Sequence, residues 1–100
     1  MALESPQKKE IDACMVLLDK TNKAYQKYFV AIEKLPPLEL RKELDQRVNK
    51  LKAEMNKIHQ TGVRFLITSL VAKYHTHVSQ WDKTMKDIEE GRYHRQPRRV

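Results

Sequence analysis

The feature that most constrains this chain is a series of apolar residues at helical spacing that is interrupted at two places. The first series recurs every three or four residues, so its members lie on one side of a helix. They are Ile11, Cys14, Leu18, Tyr25, Phe29, Ile32 and Leu35. Pro36 and Pro37 follow. Because a proline pushes the preceding residue out of the α region, we predict a first helix over about residues 7–35 that ends at Leu35.

Two further series have the same spacing. The second consists of Leu40, Leu44, Val48, Leu51, Met55 and Ile58, and the third is centred on Ile67, Tyr74, Trp81 and Ile88. Nine residues separate Ile58 from Ile67, and at ~100° per residue this puts the two series on opposite sides of a continuous helix. A break near Gly62 lets both face one core, which predicts helices over about residues 37–59 and 62–90. The alternative is one long bent helix whose two faces contact different neighbours.

Composition supports an all-α fold. Two glycines and 33% charged residues suit long helices with solvated outer faces, and they suit strands and tight turns badly. Short connections favour antiparallel neighbours, so we predict an antiparallel helical hairpin or three-helix bundle over residues 1–91. The seven-residue spacing of Ile11, Leu18, Tyr25 and Ile32 predicts coiled-coil packing. With 40% hydrophobic residues in 100 the core is thin, so we expect the chain to form oligomers.

Three further features of the sequence concern residues within or beside these series. Thr21 and Asn22 lie in the middle of the first one, and we expect them on a solvated helix edge; the alternative is a polar pair that fixes the register of packing. Cys14 is the single cysteine, which excludes an intramolecular disulfide and predicts a buried packing thiol. Glu43 and Arg47 are spaced for an ion pair on the outer face of the second helix.

The residues offer little chemistry for a reaction or a cofactor. His75 and His77 point to nearly opposite sides of a helix, so they cannot chelate a metal together, and we expect His77 to be partly buried and His75 to lie at the surface. There is no glycine-rich phosphate loop and no nucleophile placed beside a base, so we expect no enzyme activity and no cofactor. The longest apolar stretch, residues 65–72, is far shorter than a membrane span, and the first residues lack a signal-peptide pattern. A cytoplasmic protein is expected.

The positive charge is concentrated at one end. Of the net charge of +7, four arginines fall within residues 92–100, which contain no acid. Gly91 is predicted to end the third helix in a left-handed conformation. Glu89 and Glu90 precede it, where the helix dipole disfavours acids, so we expect the first turn of the tail to fold back and pair at least one of them with an arginine.

These features predict a surface for a partner at the end of the third helix and on the basic tail. Its candidate residues are Trp81, Glu89, Glu90, Arg92, Tyr93, Arg95, Arg98 and Arg99. Trp81 belongs to the third series and is expected in the core, although an indole can also anchor an interface. The predicted function is a scaffold or adaptor for an acidic protein partner. The alternative is a small basic protein that binds nucleic acid, with arginines on phosphates and an aromatic ring stacked on bases.

Several segments of the chain form a further pattern. They are Tyr25-Gln-Lys-Tyr-Phe-Val-Ala-Ile-Glu-Lys-Leu-Pro36, Arg64-Phe65, Tyr74, Trp81 and Ile88-Glu-Glu-Gly-Arg-Tyr-His-Arg95. Over about residues 20–95 they resemble an uncharacterised bacterial helical module with a Tyr-x-x-Phe-Phe-x-x-Ile-Glu segment, an Arg-Phe segment and a terminal Trp followed by Ile-Glu-Glu-Gly-x-Tyr-x-Arg. The resemblance implies a helical interaction module and carries over no catalytic residues. Pro97 departs from the continuing charged helix of that module.

Overall fold

The structure, a computed structural model, describes residues 6–93. Three helices follow one another in this range: α1 (Pro6–Phe29), α2 (Leu38–Met55) and α3 (Thr61–Glu89). Pro6 is the first residue of α1, where its missing N–H costs no helical hydrogen bond. No strand occurs within the described residues, so the predicted all-α fold is confirmed.

The contacts between helices give the topology. Arg41 near the start of α2 bonds to Tyr25 late in α1, whereas Arg47 further along α2 reaches Glu10 near the start of α1. These two helices are therefore antiparallel. Arg41 also bonds to Asp82 near the end of α3, so α2 and α3 are antiparallel as well. Each helix packs on both others, and the result is an up-down-up three-helix bundle. Coiled-coil packing in the strict sense stays a prediction.

The core lies along the shared axis of the three helices. Its buried apolar side chains are Ile11, Cys14, Leu17, Leu18, Tyr25, Tyr28, Phe29, Leu44, Val48, Leu51, Ile58, Ile67, Leu70, Tyr74 and Trp81. Trp81 is fully buried, and its ring stacks on Tyr25 with centroids 4.6 Å apart. The second and third series thus supply the core as predicted, with Leu40, Met55 and Ile88 packed against it and partly buried.

The predicted end of the first helix is wrong by six residues. The helix ends at Phe29, and Ala31 adopts a left-handed conformation with φ of 61°. The N–H of Ala31 donates to the carbonyl of Tyr28 at 3.0 Å, and the N–H of Ile32 donates to the carbonyl of Lys27 at 2.8 Å. This pair of bonds is a Schellman cap. Beyond it the chain leaves the bundle axis, and Ile32 and Leu35 are exposed instead of buried.

A contact from the other end of the chain lies at this helix end. The carbonyl of Phe29 accepts a hydrogen bond of 3.1 Å from the hydroxyl of Tyr93, whose ring lies edge-on to that of Phe29 with centroids 6.3 Å apart. The helix ends seven residues before Pro36, so the proline restriction acts on a segment that has already left the helix.

The break between α2 and α3 is confirmed, and it precedes Gly62. Residues 56–60 connect the helices, and Gly62 lies in the first turn of α3. The N–H groups of Lys57 and Ile58 donate to carbonyls three residues earlier, at 2.9 and 3.1 Å, which tightens the end of α2. Ile58 is buried, so the second series continues past its helix.

Candidate interaction surface

The polar pair in the first series is not a solvated edge. Thr21 is fully buried, and its hydroxyl donates to the carbonyl of Leu17 at 2.7 Å. The side-chain oxygen of Asn22 accepts a 3.0 Å hydrogen bond from the indole N–H of Trp81. A buried indole N–H needs an acceptor, but the sequence does not indicate which side chain supplies it. Trp81 itself has no exposed surface to offer a partner in this packing.

A polar network connects all three helices. Arg41 of α2 makes two hydrogen bonds to Asp82 of α3, at 2.5 and 3.2 Å, and one of 3.3 Å to the hydroxyl of Tyr25 of α1. Its Nε lies 3.8 Å from Asp45, which also accepts a hydrogen bond from Tyr74. The hydrogen bonds to Asp82 raise the pKa of Arg41. Burial, and then the bond to Asp45, raise the pKa of Tyr74. The network thus links side chains of all three helices at one end of the bundle.

The remaining candidate chemical groups are the thiol of Cys14 and the imidazoles of His75 and His77. The thiol of Cys14 is fully buried, and burial together with the nearby carboxylate of Glu10 raises its pKa to about 11, which confirms a packing thiol. His77 is half-buried and stacks on Trp81, with ring centroids 5.8 Å apart, whereas His75 is exposed. Both positions are as predicted. Within residues 6–93, no cluster of three His, Cys, Asp or Glu side chains has the geometry to hold a metal ion.

The predicted partner end contains a folded element that we call the tail clasp, residues 87–93. Gly91 has φ of 77°, its N–H donates to the carbonyl of Ile88 at 3.2 Å, and the N–H of Arg92 donates to the carbonyl of Asp87 at 2.8 Å. This is a second Schellman cap, as expected for Gly91. The guanidinium of Arg92 bonds to the carboxylate of Asp87 at 3.1 and 3.2 Å and also contacts Glu90. The expected Glu–Arg pair is therefore present, with Asp87 as an additional partner.

The other predicted partner residues are distributed as follows. Tyr93 is half-buried by its contacts with Phe29, and Glu89 is exposed on α3. Arg95, Arg98 and Arg99 lie outside the described residues. The structure thus brings Glu90, Arg92 and Tyr93 together in the tail clasp.

A groove that the sequence did not reveal lies between the outer face of α1 and the connection to α2. We call it the corner groove; its volume is about 500 Å³. Its apolar lining residues are Val16, Ala24, Leu35, Pro37 and Leu40, and its charged ones are Asp19, Lys20, Lys23, Lys27 and Glu33. Val16 is 70% exposed and Leu35 is 78% exposed. The apolar spacing predicts Leu35 in the core and therefore does not indicate a groove at this position. Val16, which lies outside the first apolar series, is the signal in the sequence of a second apolar surface.

Comparisons of the chain with protein families, with curated proteins and with solved structures gave no match. The resemblance to the bacterial helical module stays a prediction. None of the helices within residues 6–93 has an apolar stretch of membrane-spanning length.

Proposed function

We propose that this protein is a non-enzymatic protein–protein interaction module, a scaffold or adaptor that presents the end of α3 and the basic tail to an acidic partner. The tail clasp is the observation that carries the proposal. It fixes the start of the basic segment to the bundle by a helix cap, by the ion pairs of Arg92 and by the contact of Tyr93 with Phe29. An anchored segment loses less conformational entropy on binding than a free one.

The charge that remains for a partner lies beyond the clasp. Arg92 is paired with two carboxylates, those of Asp87 and Glu90, so its charge is compensated within the chain. Arg95, Arg98 and Arg99 follow in the sequence without an intervening acid. We therefore assign the recognition of an acidic partner to these three arginines, which steer association through long-range attraction.

The same geometry favours a protein partner over nucleic acid. Stacking on a base requires a free aromatic face and phosphate contacts require free cations. In the clasp, the ring of Tyr93 packs on Phe29 and its hydroxyl is bonded, while Arg92 is engaged with acids. Tyr93 and Arg92, two of the residues that would contact a nucleic acid, are thus already engaged in contacts within the bundle.

Self-association is a second part of the proposal. The described residues expose large apolar side chains that a single copy of the bundle does not cover: Val16, Ile32, Leu35, Leu38, Phe65 and Leu66. Exposed apolar surface of this kind marks interaction sites. We propose that the part of it that does not line the corner groove, including Phe65 and Leu66, is buried between copies of the chain.

Affinity capture from a lysate tests the assignment of the tail. The bait is the full chain, compared with the triple variant Arg95→Ala/Arg98→Ala/Arg99→Ala. We expect acidic proteins captured by the parent to be lost with this variant. Retention of the same proteins by the variant would refute the assignment.

A charge-matched control and a nucleic-acid assay complete the experiment. The control removes three exposed lysines elsewhere, Lys50→Ala/Lys52→Ala/Lys57→Ala, and should leave capture unchanged. In a gel-shift assay at two salt concentrations, we expect no specific retardation of DNA or RNA. Tight retardation that weakens steeply with salt and depends on the tail arginines would establish the nucleic-acid alternative instead.

A further inference from the structure

We propose that the corner groove binds an acidic amphipathic helix of a protein partner. This inference rests on the proposed function as an interaction module, and it adds a second surface and the class of segment that fits it. The apolar lining is the first argument. Val16 and Leu35 both line the groove and are largely exposed, and Ala24, Pro37 and Leu40 complete its apolar lining. Side chains of this kind receive the apolar face of a helix in helix-in-groove recognition.

The charged residues of the lining indicate the charge of the partner segment. Lys20, Lys23 and Lys27 occupy successive turns of α1 beside the apolar residues. Asp19 pairs with Lys23 at 3.0 Å, which compensates the charges of both residues within the chain. Three lysines against Asp19 and Glu33 leave the lining with a net charge of +1. Carboxylates along the edges of a bound helix would meet these lysines, and opposite charges at an interface rim speed association and fix register.

The length of the groove sets the size of the bound segment. Val16 and Lys27 are eleven residues apart on α1, which corresponds to ~16 Å, or about three helical turns. A partner helix of three to four turns covers this distance, with apolar residues at positions i, i+3 or i+4, and i+7 on one face and acids beside them.

Two other occupants have the wrong charge. A second copy placed by two-fold symmetry would bring two linings of the same net positive charge together. The segment after the tail clasp contains Arg95, Arg98 and Arg99 and no acid, so the lysines of the groove repel it. An acidic segment of a different protein satisfies both the apolar lining and the lysines.

The test begins with a displayed library of random helical peptides of about 18 residues, selected against the full chain. We expect enrichment of acidic sequences with apolar residues at helical spacing. A selected peptide is then synthesised with a fluorescent label and its binding is measured by anisotropy. We expect Leu35→Ser, and separately Lys20→Glu/Lys27→Glu, to weaken binding at least about tenfold.

Matched variants distinguish the groove from other surfaces. Ala53→Ser replaces an exposed apolar side chain of α2 outside the groove, and Lys50→Glu/Lys52→Glu reverses two exposed lysines of the same helix. Both should leave peptide affinity unchanged within about twofold, and circular dichroism should show that all variants keep the helical fold. The substituted groove residues are exposed, so loss of binding with an intact fold reports the groove.

The tail variant keeps this inference separate from the proposed function. Peptides whose binding falls with Arg95→Ala/Arg98→Ala/Arg99→Ala but not with the groove variants would support the tail and overturn the groove. Peptides that depend on the groove variants alone would support the groove even if the tail assignment fails. Enrichment of no peptide, or of peptides indifferent to Leu35→Ser and to the lysine reversals, would overturn the inference.

Discussion

Two helix ends in this molecule use one backbone geometry with different residues. Ala31 after α1 and Gly91 after α3 both lie at the left-handed position of a Schellman cap, with φ of 61° and 77°. This conformation costs a residue with a Cβ roughly 1–2 kcal/mol, whereas glycine adopts it freely. A Cβ added at Gly91 would meet no atom within 4 Å, so its cost there is conformational and not steric.

Exchanging the two residues gives a paired prediction. Ala31→Gly should raise the free energy of unfolding by about 1 kcal/mol, and Gly91→Ala should lower it by a similar amount. Urea denaturation of both variants and the parent measures the shift in midpoint at constant slope. Destabilisation by Ala31→Gly would contradict the strain that we assign to Ala31.

The Trp81–Asn22 contact predicts two further substitutions. Trp81→Ala should destabilise the fold by ~3–5 kcal/mol, because the indole is fully buried and stacked on Tyr25. Asn22→Ala should cost ~1–3 kcal/mol, because it leaves the indole N–H buried without an acceptor. Thermal melts of both variants test the two values. A variant of Trp81 that melts like the parent but loses a partner would instead make the indole an interface anchor.

The buried thiol predicts a dependence of stability on pH. In the fold, burial and Glu10 raise the pKa of Cys14 from 9.0 to about 11, against a smaller opposing effect of Arg47. The unfolded chain therefore loses the thiol proton at lower pH than the folded chain, so this contribution to stability is complete below pH 9 and is lost as pH rises towards 11. The slope of unfolding free energy against pH over this window should be shallower in Cys14→Ala. Equal slopes in both proteins would contradict the raised pKa.

At the scale of helices, Arg41 is central to the polar network, because it contacts Tyr25 of α1, Asp45 of α2 and Asp82 of α3. Replacing it by leucine leaves the carboxylates of Asp45 and Asp82 without their shared cation, so we expect a loss of about 2 kcal/mol. Asp82→Ala should cost less, about 1 kcal/mol, because Asp82 is largely exposed. The double variant should lose less than the sum of the two, and urea denaturation of all three measures this coupling. Strict additivity would show that Arg41 and Asp82 do not stabilise one another.

The sequence predicted the helices whose apolar series and ends are determined by residues close to them in the chain. For α2 and α3 the buried residues follow the spacing of apolar residues along the chain. The break between the two helices follows from the angle between their apolar series, which would lie on opposite sides of one continuous helix. The end of α1 could not be found this way, because it involves Tyr93, which lies 64 residues after Phe29. The position of Asn22 likewise depends on a distant indole. The tail clasp was predictable from Gly91 and its flanking charges, but the corner groove was not, since it exists only because α1 ends early.

At the scale of the whole molecule, the bundle is elongated, with extents of 52 × 26 × 18 Å. An elongated bundle leaves apolar side chains along its flanks, including Phe65 and Leu66. We expect sedimentation at micromolar concentration to give a mass above that of one chain, and the melting temperature to rise with concentration. A monomeric mass combined with a melt independent of concentration would contradict self-association.

The bond from Tyr93 to the carbonyl of Phe29 connects the start of the basic tail to the end of α1. The segment that begins at Phe29 forms one wall of the corner groove, and the segment that ends at Tyr93 leads into the basic tail. We therefore expect a tail partner that displaces Tyr93 to change the affinity of the corner groove for its proposed partner. By linkage, the groove partner would then change the affinity of the tail by the same factor, without movement of a domain.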